Sequence, residues 1–236
     1  MRVLFSKGLV FISKPRCGST SVRRYLTRHM SEKAGDFAVD IAYQSEHFHP
    51  HDTAPYVKAK LAELYPEHAG LSYFMTTRNP VDLLWSCYRF FKPDAECRYN
   101  FDPGWDETTT MEFEDWVQHG KLGMRDGWEE LAPSWISTQN LSPLSLEAYS
   151  IDRAGVNHVD HLFRLENIDE LNGWLSNRLQ KPRYSAFSRR EDLIPHVNQA
   201  DAGGHPESGG KPIALSDKSL HAIRLMFPTE SEMYGI

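Results

Sequence analysis

Lys14-Pro15-Arg16-Cys17-Gly18-Ser19-Thr20-Ser21 gathers two cations, a glycine and three hydroxyls directly after the apolar run Leu9 to Ile12. Together these residue types make an anion cradle. Glycine lets the backbone turn tightly, successive N–H groups converge, and hydroxyls and a guanidinium add donors for phosphoryl or sulfonyl oxygens. A second segment, Tyr73-Phe74-Met75-Thr76-Thr77-Arg78-Asn79-Pro80, delivers Arg78 to the start of another helical pattern, which carries Ser86. Each segment reads as a strand running into a helix, where uncompensated amides attract anions. A pair of such corners suits a nucleotide bearing phosphates at both ends.

The first loop is not an ordinary nucleoside-triphosphate loop. That loop needs Gly-x-x-x-x-Gly-Lys-Ser/Thr, whereas this one has a single glycine and no lysine before its hydroxyls. A magnesium-dependent ATP or GTP site is therefore disfavoured. The competing reading is a plain strand-to-helix turn with Ser19 as its cap. A third chemical feature is Glu46-His47-Phe48-His49-Pro50-His51-Asp52. Histidine is the side chain best suited to accept a proton near neutral pH. Alternate histidines on an extended backbone also suggest a metal site, but no further Cys or His completes a ligand spacing, so no metal is expected.

These residues need a scaffold, and the pattern supplies one. Leu9 to Ile12 reads as a strand. Ser19 to Met30 reads as a helix with Val22, Tyr25 and Leu26 inward and Arg23, Arg24 and Arg28 facing water. Phe37 to Tyr43 alternates like a strand, His47 to His51 is a polar turn, and Asp52 or Thr53 caps a helix through Val57, Leu61 and Leu64. Leu71 to Thr76 is a further strand, and Asn79 with Pro80 opens a helix to about Phe91. A partly helical, aromatic-rich insertion is expected at about residues 92–133, with Tyr99, Phe101, Trp105, Phe113, Trp116 and Trp128. It is read either as a substrate-facing lid or as a satellite core. A strand at His161 to Leu165, a helix from Ile168 to Leu179, a Gly/Pro/Ser-rich mobile loop at Asp201 to Lys211 and a helix at Asp217 to Phe227 complete the pattern. The expected class is α/β, a central mainly parallel sheet flanked by helices with its ligand site at the strands' carboxyl ends.

At 236 residues the chain suits one domain, residues 1–236. A net charge of −6 argues against a nucleic-acid partner, and no apolar run reaches membrane-spanning length. The three cysteines Cys17, Cys87 and Cys97 do not make a disulfide framework, which points to a reducing, cytoplasmic setting. Oligomeric state is not readable.

The loop's order, Pro-basic-x-Gly-Ser-Thr-Ser at residues 15–21, resembles the 5′-phosphosulfate loop of sulfotransferases that use 3′-phosphoadenosine 5′-phosphosulfate (PAPS). Arg78-Asn79-Pro80 through Ser86 looks like that family's 3′-phosphate motif. His161 to Ile168, with Glu166-Asn167, and His196-Val197-Asn198 resemble later family segments, as does the closing Met233-Tyr234-Gly235-Ile236. The resemblance implies a P-loop-like sulfotransferase fold, PAPS as donor, 3′,5′-ADP as product, and a hydroxyl- or amine-bearing small molecule or carbohydrate as acceptor. It implies that Arg16 stands where a lysine most often neutralises the departing oxygen. Cys17, Gly18, Ser19, Thr20 and Ser21 then wrap the phosphosulfate, with Lys14 as a helper, and Arg78 and Ser86 hold the 3′-phosphate. The family's catalytic histidine lies in a loop before the Arg-Asn-Pro strand, where all three histidines fall; His51, ahead of Asp52-Thr53-Ala54, resembles a His-x-Thr-Ala pattern of bacterial members and is the first choice as base, with His49 next and Glu46 and Asp52 as fallbacks. Leu83 stands where carbohydrate-type members often carry arginine. Two other readings stay open: a nucleotide or small-molecule kinase, and an inactive relative that binds PAPS or 3′,5′-ADP without transferring sulfate.

Overall fold

The computed structural model describes residues 1–40, 45–91, 112–119, 133–179, 193–194 and 213–236. The strands are β1 (Arg2–Leu4), β2 (Leu9–Ile12), β3 (Phe37–Ala38), β4 (Ser72–Thr77) and β5 (His161–Arg164), joined in the order β3-β1-β2-β4-β5. The helices are α1 (Ser19–Thr27), α2 (Ala54–Leu64), α3 (Pro80–Phe91), α4 (Phe113–His119), α5 (Trp135–Thr138), α6 (Leu146–Ser150), α7 (Ile168–Leu179), α8 (Asp217–Met226) and α9 (Pro228–Tyr234). The α/β class is as expected. The sheet is mixed rather than mainly parallel, which corrects the expectation. β2, β4 and β5 run parallel, but β1 is antiparallel to both β2 and β3. The cause is local: a 3₁₀ turn at Phe5–Lys7, closed by Gly8 in the left-handed region at φ 64°, folds β1 straight back onto β2. Such a tight connection permits only antiparallel pairing.

Contacts divide the chain into two compact units, residues 1–77 with 149–203 and residues 78–148 with 204–236. In the first, β2 and β4 are buried on both faces, as strands covered by helices must be. Phe11 and Phe74 meet with ring centroids 5.1 Å apart. Around them pack Val22, Tyr25 and Leu26 of α1 and Leu171, Leu175 and Leu179 of α7. Each fully buried large apolar side chain contributes roughly 1.5–3 kcal/mol, so this cluster anchors the strand ends from which the loops emerge.

In the second unit, Asn79 caps α3 as expected: its Oδ1 accepts the Val81 N–H at 2.9 Å and its carbonyl accepts the Leu83 N–H at 2.8 Å. Leu83, Leu84, Cys87 and Tyr88 are buried. The aromatic insertion takes the satellite-core alternative where it is described. Phe113 and Trp116 of α4 are buried, and their rings lie 5.5 Å from that of Tyr88, with Phe113 edge-on to Trp85 at 4.9 Å. The rest of the insertion, the His196-Val197-Asn198 motif, the loop at 201–211 and the last part of the expected strand at 37–43 fall outside the described residues.

Three details of α1 differ from the readings above. Helix α1 stops at Thr27 rather than Met30, where Arg28 closes onto Leu26 and Tyr25 carbonyls. Ser19 is its first helical residue, and Gly18 rather than Ser19 occupies the cap position. Arg23 does not face water: its side chain is 12% exposed and its Nη1 meets Asp40 Oδ1 at 2.8 Å.

Candidate functional site

The loop after β2 is a turn at residues 15–18 that drops directly into α1. Two of its residues adopt the left-handed region, Arg16 at φ 58° and Gly18 at φ 73°. Arginine there costs about 1–2 kcal/mol, so this conformation is held by its surroundings. Gly18 is required twice over. Besides its φ, an added Cβ would sit 2.5 Å from Leu165 Cδ1, in the turn following β5. The loop is also pinned from the neighbouring strand, since Thr76 Oγ1 donates to the Cys17 carbonyl at 2.6 Å.

The cap residue of α1 is Gly18, which has no side chain to cover the first amides, and the first turn has no acidic residue. Such a terminus carries partial positive charge worth about 0.3–1 kcal/mol to an anion. Ser19 and Ser21 are buried, Thr20 is half-buried, and Lys14 and Cys17 are fully buried. Ser13 and Thr77, at the carboxyl ends of the adjacent strands β2 and β4, each bury a hydroxyl that has no hydrogen-bond partner among the described residues. Buried polar atoms left this way are rare and mark places where a ligand or water belongs. Neither was named as a site residue from sequence, although Ser13 directly precedes the first loop and Thr77 lies within the second segment.

The three histidines do not share a face. A turn at Pro50–His51 interrupts the extended run. His47 is exposed, with its carbonyl accepting from Tyr56 Oη at 3.0 Å. His49 Nδ1 accepts the His51 N–H at 3.2 Å, and the two rings lie 5.9 Å apart. His51 Nδ1 lies 2.6 Å from the Ser13 carbonyl. A carbonyl only accepts, so Nδ1 carries the proton and Nε2 keeps its lone pair. The ring is thereby oriented by the strand that leads into the anion loop.

Burial lowers His51 to about 3, against the raising effect of the Ser13 carbonyl and with help from the Met1 amino group, Arg23 and His49. His49 is lowered too, by burial and then by the Met1 amino group. Asp52 moves the other way. Burial pushes it up to about 6, although its Oδ2 accepts the His49 N–H at 2.7 Å. Asp52 is not the side-chain cap of α2; Thr53 holds the cap position without a side-chain bond.

A cavity of about 350 Å³ opens beside this turn, lined by Asp40, Glu46, His47, His49, Asp52 and Tyr56 among others. Among the described residues no group of three His, Cys, Asp or Glu side chains could hold a metal ion.

Of the second motif, Arg78 lies half-buried between β4 and α3, and Ser86 is half-buried on α3 beside buried Cys87. Leu83 is fully buried in the second unit. No helix among the described residues is long and apolar enough to cross a membrane. Comparison with protein-family models, curated proteins and solved structures gave no match to this chain.

Proposed function

We propose that the protein is a PAPS-dependent sulfotransferase with a P-loop-like donor site, acting on a hydroxyl or amine of a small molecule or carbohydrate. One observation carries this reading: the turn at residues 15–18, with Arg16 and Gly18 both in the left-handed region, opens directly into α1, whose cap residue is a glycine and whose first turn holds no acidic residue. The orphaned Ser13 and Thr77 hydroxyls at the adjoining strand ends support it. In this reading Arg16, Gly18, Ser19, Thr20 and Ser21 hold the phosphosulfate, with Lys14 and Cys17 completing the loop, while Arg78 and Ser86 take the 3′-phosphate. No metal enters the reaction.

The acceptor's oxygen or nitrogen attacks sulfur, the bond from sulfur to the 5′-phosphate oxygen breaks, and 3′,5′-ADP leaves with the electron pair. The acceptor's proton passes to His51 Nε2, with His49 next in line. Arg16 and the loop amides meet the charge growing on the departing phosphate. His51 is a weak base before the donor arrives, and the donor's negative charges raise its proton affinity where it is needed. Buried thiols at Cys17 and Cys87 fit a reducing cytoplasm.

Transfer from radiolabelled PAPS to a panel of alcohols, sugars and amines tests this function. Labelled product that disappears in His51→Ala and Arg16→Ala supports it. Binding of 3′,5′-ADP with no transfer to any acceptor would favour the inactive relative, for which the low proton affinity of His51 is the specific argument.

A further inference from the structure

Arg23 is an odd residue for its place. It lies one turn into α1, where the helical pattern assigns it to solvent, yet its side chain is 12% exposed. Its guanidinium faces two ways. Nη1 donates to Asp40 Oδ1 at 2.8 Å, and Nη2 lies 3.5 Å from Thr20 Oγ1 in the anion loop. Its Nε is buried with no partner. Asp40 is already held by Arg2, whose Nη1 and Nη2 reach its two oxygens at 3.2 and 2.8 Å. One carboxylate thus faces two guanidiniums, which leaves a surplus positive charge inside the fold. Asp40 also lines the cavity that His49 and Asp52 share.

The pair is part-buried, with Arg23 at 12% and Asp40 at 30% side-chain exposure, and desolvation of the guanidinium offsets part of the attraction. Apolar replacement of such pairs is often neutral or better, so a purely structural role leaves the second guanidinium unexplained. We propose that Arg23 is a positioning residue that ties the donor loop to the histidine turn, holding the Thr20 hydroxyl on one side and the cavity wall at Asp40 on the other. This rests on the sulfotransferase reading for what Thr20 holds, namely an oxygen of the donor's 5′-phosphate, which 3′,5′-ADP retains. The link to the histidine turn is electrostatic and does not depend on that reading.

His51 faces the Ser13 carbonyl, the Met1 amino group, Arg23 and His49; the amino group in turn faces Arg2, Asp40 and Asp52. Arg23 is the only side chain of α1 in that set, and its charge helps to keep the His51 ring neutral with Nε2 open. Anions entering the loop offset that charge. Donor binding and readiness of the base are then coupled through one guanidinium.

The test compares wild type with Arg23→Gln, which removes the charge, and Arg23→Lys, which keeps the charge but loses the fork. The His51 ring is followed by NMR titration, and 3′,5′-ADP affinity by calorimetry. In Arg23→Gln the His51 pKa should rise, while in Arg23→Lys, which keeps the charge, it should stay closer to wild type. Both variants should bind 3′,5′-ADP at least about threefold more weakly, since neither can hold Thr20 as the fork does. If Arg23→Gln fails to fold, the same reasoning is read from Asp40→Asn, where Arg23 loses its counter-charge and the His51 pKa should fall. An unmoved His51 titration in the folded variant would overturn the coupling. Wild type that binds no 3′,5′-ADP would overturn the donor reading instead, leaving the His51 shift as a separate result.

Discussion

Acidification should expose the constraint on His51 directly. In the unfolded chain its imidazole titrates near the ordinary 6.5, whereas in the fold burial holds it at about 3. The folded value is depressed, so the fold favours the neutral ring. That preference is fully satisfied above the unfolded pKa and is lost as pH falls towards the folded one. Between about pH 7 and about pH 5 the unfolded chain takes up most of a proton that the folded ring refuses, which costs about 2 kcal/mol of stability. Asp52 acts in the opposite sense. Its folded value is raised from 3.8 to about 6, so protonation over the same range offsets about 1 kcal/mol. A comparison with His51→Gln cancels this contribution and that of the Met1 amino group, which both proteins share. Urea unfolding of the two at each pH gives the difference. Wild type should lose about 2 kcal/mol more than the variant on acidification. Equal losses would show that His51 is not held neutral with Nε2 open.

Gly18→Ala should destabilise by about 1–3 kcal/mol, from a left-handed φ and collision with Leu165; urea midpoints measure it, and a loss under about 0.5 kcal/mol would contradict the loop geometry. Asp52→Asn should steepen the rise of stability with pH between about 4 and 6, because it removes the opposing cost of ionising the buried carboxyl, with a gain over wild type of up to about 3 kcal/mol above that range. Scanning thermal unfolding at several pH values reads the difference, and a gap that does not widen with pH would contradict the buried carboxyl. Trp116→Ala should cost about 3–5 kcal/mol because its ring is fully buried between Tyr88 and Phe113; denaturant titration reads the loss, and a change below about 1 kcal/mol would mean that α4 does not pack as described.

Much of the site-bearing framework was legible because it follows from short-range rules. An apolar run into a Gly-Ser-Thr-Ser stretch gave β2, the loop and α1. Asn79-Pro80 located the start of α3 through capping chemistry that involves only neighbouring residues. What was missed depends on distant partners. β1 is a strand of three residues that begins with Arg2, and no alternation can be read from so short a piece. Its burial is possible because Asp40, far along the chain, neutralises the guanidinium. The same carboxylate draws Arg23 inward against the helical pattern. By residue type the three histidines were equivalent on an extended backbone, and only the family resemblance ranked His51 first. The turn at Pro50–His51 separates them, and pairing with the Ser13 carbonyl sets His51 apart. Ser13 and Thr77 carry no signal of their own in the chain, because an orphaned hydroxyl becomes visible only once its surroundings are known.

The central claim is that one adenylate is held by phosphates at both ends. Isothermal titration with 3′,5′-ADP and with ordinary 5′-ADP, on wild type and Arg78→Ala, tests it most directly. The account predicts that 3′,5′-ADP binds at least about tenfold tighter than 5′-ADP, a gap of about 1.4 kcal/mol that closes in the Arg78 variant. Equal affinities in wild type would contradict it.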